Sequence, residues 1–86
     1  MTLDELDELA AEKVMDFTAD RKWKPTKNIE QAWDCLESVG AELRVIQRSD
    51  SAGWVCQLRK TRGWHYGQGD TAAEAITRAC VKAKSV

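Results

Sequence analysis

The sequence predicts an α+β domain of three helices and a three-stranded antiparallel sheet, in the order ααβββα. Three observations predict it. The same capping chemistry recurs ahead of three amphipathic stretches; the apolar period shifts from 3.6 to two between the second and third of them; turn residues punctuate the period-two region. The chain has 86 residues, which reads as a single domain over 1–86. A chain of this size buries roughly 60–65% of its unfolded surface, enough for one modest core.

Thr2 with Glu5, Asn28 with Gln31, and Thr71 with Glu74 each pair a side-chain oxygen that caps an orphan amide with a Glu or Gln three residues on. Each pair should open a helix. In the first helix, Leu3, Leu6, Leu9, Ala10, Val14 and Phe17 form one stripe, and Asp4, Glu8 and Glu12 fall outside it. Lys13 lies within that stripe, where its stem packs and its ammonium snorkels to water, while Met15 points away. The second helix, 28–39, sets Ile29, Ala32, Trp33, Leu36 and Val39 on one side and stops at Gly40. The third, 71–84, sets Ala72, Ala73, Ile76, Ala79, Cys80 and Ala83 together, a row small enough to lie close against a sheet, with Lys82 and Lys84 suiting its C-terminal dipole.

Between the last two helices Leu43 and Val45 alternate against Arg44 and Arg48, and Trp54, Cys56 and Leu58 alternate against Val55, Gln57 and Arg59. That is the pattern of half-buried antiparallel strands. Ser49 to Gly53 is the turn between them, and Thr61-Arg62-Gly63 leads to a short third strand, Trp64 to Gln68. Arg21 to Lys27 connects the first two helices, with Pro25 disfavouring helix at Lys24.

Composition bounds the function. With 43% apolar and 31% charged residues the chain is ordinarily globular. It has no run of about 18 apolar residues and its N-terminus is acidic, so the sequence reads as cytosolic, without a membrane partner. Cys35, Cys56 and Cys80 are odd in number and widely spaced, which argues for reduced core thiols over a disulfide framework or zinc site. The net charge of −1 conceals blocks: residues 1–20 are strongly acidic, 21–27 basic, 28–42 acidic and 43–62 basic. Neither a uniformly basic nucleic-acid binder nor a uniformly acidic DNA mimic fits that arrangement.

No catalytic set is legible. His65 is the sole histidine and sits on a predicted strand; Cys56 and Cys80 occupy apolar positions; the acids of the first helix spread around it as a solvated face. No metal ligand set or cofactor is expected, and no enzyme activity. Gly67-Gln68-Gly69-Asp70, just ahead of a helix, could offer amides to an anion. The most informative group is the hairpin, where Arg44, Arg48, Arg59, Lys60 and Arg62 accompany Trp54, Trp64, His65 and Tyr66. Bases interleaved with aromatics bind phosphate and stack on bases, although Trp54 is in phase with the core.

Ala11-Glu12-Lys13-Val14-Met15, Pro25, Asn28-Ile29, Ala32-Trp33 and Glu37, then Asp70-Thr71-Ala72, Ala75-Ile76, Ala79 and Lys82-Ala83 resemble the phage ABA sandwich domain family over nearly the whole chain. The two helical ends carry the likeness; the hairpin matches only as alternation. The resemblance implies a small phage or prophage protein and an α/β/α sandwich, with helices on both sheet faces and Ile46 and Val55 as core. It supplies no catalytic residues. The chain departs from the pattern in Asp16-Phe17, where Gly and Trp often follow the Met, and in Glu74 and Arg78 on the last helix.

The resulting expectation is a phage accessory protein that binds and inhibits a host protein or complex, in its sharpest form an anti-CRISPR or other anti-defence inhibitor. Asp4, Asp7 and Glu8 supply an acidic docking face, and Arg44, Arg48, Arg59, Arg62, Trp64, His65 and Tyr66 a basic aromatic one. The alternative is a nucleic-acid or nucleotide-signal module on the same hairpin. Its αβββα order resembles a double-stranded RNA-binding domain, but Thr71-Ala72-Ala73-Glu74 replaces the lysine cluster expected there. A homodimeric accessory is a further alternative.

Overall fold

The computed structural model describes residues 2–51, 53–60 and 63–85. In chain order they form α1 (Leu3–Leu9), a π-helical turn (Ala10–Met15), α2 (Ile29–Val39), β1 (Leu43–Ser49), β2 (Gly53–Lys60), β3 (Gly63–Gly69) and α3 (Ala72–Lys84). The three strands make one antiparallel sheet in the order β1-β2-β3. The expected ααβββα arrangement is therefore the one that forms.

All three predicted caps are present. The Thr2 hydroxyl accepts from the Glu5 amide while the Glu5 carboxylate accepts from the Thr2 amide, closing a full capping box. Asn28 accepts from Glu30 and Gln31, and Thr71 from Glu74. Gln31 does not reach back to its cap. It is spent on the preceding loop, accepting from the Lys24 amide at 2.7 Å and donating to the Lys22 carbonyl at 2.8 Å. Gly40 ends α2 with φ 64°, the left-handed conformation that favours glycine.

The layers follow from α3. It packs on β2 and β3 with one side and on α2, the π turn and α1 with the other, so Ala73, Ala75, Ile76, Thr77, Ala79, Cys80, Val81 and Ala83 are all buried. Small side chains let both neighbours approach closely. Thr77 satisfies its hydroxyl on the Ala73 carbonyl at 2.8 Å. Alpha-2 packs on α3 and the π turn but on no strand, so every helix lies on one side of the sheet. Among the described residues no helix packs on the other sheet face, so the α/β/α layering implied by the resemblance is not formed by them and that face is left bare. Ile46 packs against the core on the helix side, as expected, but Val55 lies on the bare face.

The wider π turn changes what α1 buries. Ala10, Ala11 and Val14 turn inward, Asp16 follows in the left-handed region with φ 59°, and the Phe17 amide closes onto the Ala11 carbonyl. Ser38 on α2 donates to the Val14 carbonyl at 2.8 Å, satisfying an acceptor the turn leaves free. Phe17, expected in the core, is thereby carried out to the surface, where it meets Trp23 edge-on with ring centroids 4.8 Å apart. Ile29 and Trp33 also leave the expected α2 stripe, and Cys35 joins Ala32, Leu36 and Val39 inside.

Candidate functional site

Residues directly opposite one another in an antiparallel ladder point to the same side of the sheet, so the register sorts the hairpin. Leu58 and Cys56 are fully buried beneath α3 and define the covered side. Arg44 and His65 flank Leu58, Ile46 and Gly67 flank Cys56, and Arg48 and Gly69 flank Trp54. On the bare side stand Leu43, Arg59 and Trp64 in one cross-strand row, Val45, Gln57 and Tyr66 in the next, and Gln47, Val55 and Gln68 in the third.

The expected basic aromatic cluster is thus divided between the faces. Arg59, Trp64 and Tyr66 come together on the bare side; Arg44, Arg48 and His65 lie on the side of α3; Arg62 is outside the described residues. The reading of Leu43 and Val45 as the core side of β1 is corrected by the register, which turns them to the bare face and puts Arg44 and Arg48 on the helix side. Beta-1 is an edge strand that α3 barely overlaps, so only Ile46 is drawn into the core. Arg44 and Arg48, turned toward the helix side at an uncovered edge, stay in water and blunt that edge against further strand pairing.

Four large apolar side chains are left uncovered on this face: Leu43 at 48%, Val45 at 39%, Trp64 at 42% and Tyr66 at 51% exposure. Among the described residues Arg59 is its one charged member and the three glutamines supply neutral hydrogen-bonding groups. Beta-3 shows why the aromatics point outward. Its covered side is His65, Gly67 and Gly69, and a Cβ on Gly67 would collide with the Ala75 carbonyl and the Ala79 amide of α3. The helix rests on the glycine backbone itself, which leaves the alternate positions to hold bulk.

The acidic residues of α1 do not act as one face. Asp7 is only 3% exposed. Its carboxylate accepts from the Thr26 amide at 2.9 Å and the Thr26 hydroxyl at 3.0 Å, and its own carbonyl accepts from the Trp23 indole at 2.9 Å. This residue ties the connecting loop to α1 and is withdrawn from solvent. Asp4 and Glu8 remain exposed, Asp4 paired with Lys24 at 3.5 Å. Together with Asp20, Arg21 and Trp23 they line a shallow depression of about 350 Å³, in which both signs of charge are present.

The thiols are arranged against reactivity. Cys35 on α2, Cys80 on α3 and Cys56 on β2 are all fully buried. Burial, aided by Asp34 and Asp7, pushes the Cys35 thiol up to about 12, and burial pushes Cys56 up to about 11. Cys80 is raised by burial and by the neighbouring Cys35 and Cys56. An activated nucleophile needs the opposite shift. Among the described residues no three His, Cys, Asp or Glu side chains converge as metal ligands would, and no helix is long and apolar enough to cross a membrane. The glycine-rich approach to α3 does not leave all of its amides free, because Thr71 takes the Glu74 amide.

Sequence reasoning found Arg59, Trp64 and Tyr66 but missed Leu43, Val45 and Val55 as their neighbours. The signal for them was the glycine pair in β3, which marks the side where a helix must lie.

The whole chain superposes on 90% of a phage protein from Bacillus cereus ATCC 14579, known from a crystal structure, with a TM-score of 0.86 at 16% identity. That likeness shows a shared fold. No curated protein matches the sequence. The model of the phage ABA sandwich domain matches residues 8–81, nearly the full length, and the chain therefore belongs to the phage ABA sandwich domain family and is a small phage protein.

Proposed function

We propose that this phage protein acts by binding rather than by catalysis, and that its open sheet face docks a host protein whose action it blocks. The observation that carries this reading is the composition of the face. Trp64, Tyr66 and Arg59 stand in adjacent rows, exposed, with Leu43 and Val45 beside them and no acid among the described residues of the three strands. Trp, Tyr and Arg are the side chains that dominate binding energy at protein interfaces, and charged groups are depleted at the centre of such interfaces. A rigid sheet presents them at little entropic cost.

In its sharpest form the target belongs to host defence and the protein is an anti-CRISPR or related anti-defence inhibitor. Family membership supports a phage setting, and the small size and uncovered face support inhibition by occlusion. A nucleic-acid or nucleotide ligand is favoured less. Stacking on Trp64 and Tyr66 is available, but among the described residues the face carries a single arginine, so the phosphate contacts that dominate such binding are few there.

The test is capture from host lysate with nuclease present, comparing the native chain with a Trp64→Ala, Tyr66→Ala variant. A stoichiometric protein retained by the native chain and lost by the variant supports the reading. Recovery of nucleic acid alone, abolished by nuclease, overturns it. For the sharper form, expression in a CRISPR-immune host should restore plaquing of a targeted phage, and unchanged plaquing removes that version.

A further inference from the structure

The two edges of the sheet differ. At β1, Arg44 and Arg48 stand in water and oppose further strand pairing. At β3 no such guard is present: Gly63 to Gly69 holds no Lys, Arg, Asp, Glu or Pro, and its register with β2 runs from end to end without a bulge. Alternate residues of an edge strand turn their N–H and C=O groups outward, and among the described residues no loop or helix backbone bonds to β3. This edge is a free template for another strand.

What fits beside it is decided by α3. Most of that helix is buried, but Glu74, Arg78 and Lys82, each four residues on from the last, form a stripe that stays at least part-exposed. A Cβ on Gly69 would collide with the Glu74 carboxylate, so the stripe lies on the flank of α3 that overhangs the β3 edge. The helix also runs antiparallel to β3, with Glu74 above Gly69 and then Ala75 and Ala79 above Gly67.

We infer that a second copy of this chain pairs its β3 with this β3 across a two-fold axis, joining the two sheets into one. The axis that pairs the strands antiparallel, near Tyr66, also lays the two α3 helices antiparallel, near Arg78. Glu74 of each copy then meets Lys82 of the other. One rotation thus satisfies the backbone in one layer and opposite charges in the next. Glu74 holds its own Arg78 through Oε2 at 3.3 Å, which leaves Oε1 for the other copy's lysine. Because α3 packs across β2 and β3, the paired helices stand two strand spacings apart, about 10 Å, as packed helices do. A strand from an unrelated protein would meet the same stripe without bringing a reciprocal one. Trp64 and Tyr66 of both copies end on a single open face, so the pairing enlarges the proposed docking surface without depending on it.

Sedimentation equilibrium of the purified native chain, from low micromolar to submillimolar concentration, is expected to show a dimer that grows no further. Hydrogen exchange over the same range locates the contact: the edge amides of β3 should slow as the dimer forms, and those of β1 should not change. Two charge reversals, Glu74→Lys and Lys82→Glu, are each checked for native helix content by circular dichroism. Either one alone sets like charges together at both ends of the helix pair and should weaken dimerisation about tenfold or more. Mixed in equal amounts they should dimerise more tightly than either alone, because acid again meets base at both ends. Three results would overturn the inference: a native chain that stays monomeric, a dimer that leaves the β3 amides unprotected, or a mixture of folded variants that gains nothing over its components. The first two readouts use the native chain, so they decide the matter even where a variant does not fold. Host capture through Trp64 and Tyr66 is read separately, and its failure would remove the docking proposal while leaving the dimer in place.

Discussion

The two sides of this sheet are made by the same strands and share no design. On the covered side Leu58 and Cys56 are fully buried, and β3 contributes Gly67 and Gly69 so that α3 can rest on its backbone. On the bare side β3 contributes Trp64 and Tyr66, and β1 contributes Leu43 and Val45, all exposed. Within β3 the larger apolar side chains thus face water and the smallest residues face the core. Apolar character follows burial only where side chains make the contact; where backbone makes it, absence of a side chain is the mark of burial.

If that is the organising difference, a change on the covered side should reduce stability and a matching change on the bare side should reduce only binding. The largest effect is expected from Gly67→Val. Its branched side chain must displace α3 at Ala75 and Ala79, whose colliding atoms are backbone and cannot swing aside. A loss of at least about 4 kcal/mol is expected, seen as collapse of the urea midpoint, and a loss below about 1 kcal/mol would show that α3 does not bear on Gly67. Leu58→Ala comes next. It leaves a void between β2 and α3 and should lower stability by about 3 kcal/mol in the same titration.

Alkaline pH provides a third, smaller handle on the covered layers, because all three thiols lie there. Each is raised above an ordinary value of 9.0, so the unfolded chain gives up its thiol protons first. Below 9.0 the thiols leave stability unchanged; above it, stability falls as pH rises toward 11, where Cys56 itself begins to ionise in the fold. The combined loss should be about 2 kcal/mol by roughly pH 9.5. A stability curve that is flat from pH 8 to 10, or Cys residues that react at once with a thiol reagent in the native protein, would refute it.

The parts of this molecule that local chemistry decides were legible in the sequence. Thr2, Asn28 and Thr71 cap their helices as expected, because a cap involves only neighbours along the chain. The phase of β2 was legible because a central strand under a helix must alternate. The phase of β1 was not: its place at the edge, beyond the reach of α3, removes the burial that alternation reports. Asp7 could not be recognised as a tether, since its partner Thr26 is 19 residues away, and the π turn that expels Phe17 has no compositional signature. Of the residues proposed for docking, Arg59, Trp64 and Tyr66 were found as aromatics mixed with bases. What the sequence did not show was their sidedness, which separates them from Arg44, Arg48 and His65.

The smallest expected effect is also the one that separates the two faces most cleanly. Tyr66→Ala removes a larger side chain than Leu58→Ala, from a cross-strand row only one residue away along β2, where Gln57 stands opposite it. If burial alone governed cost, the tyrosine would matter at least as much. Its ring is half in water already, however, and it leaves no void when removed; only its contacts with Gln57 and neighbouring side chains are lost, a matter of roughly 0.2–1 kcal/mol. The urea midpoint should therefore scarcely move, while capture of the partner weakens severalfold. A stability loss as large as that of Leu58→Ala would mean that Tyr66 belongs to the structural core, and the bare face would then be part of the fold rather than a surface kept ready for a partner.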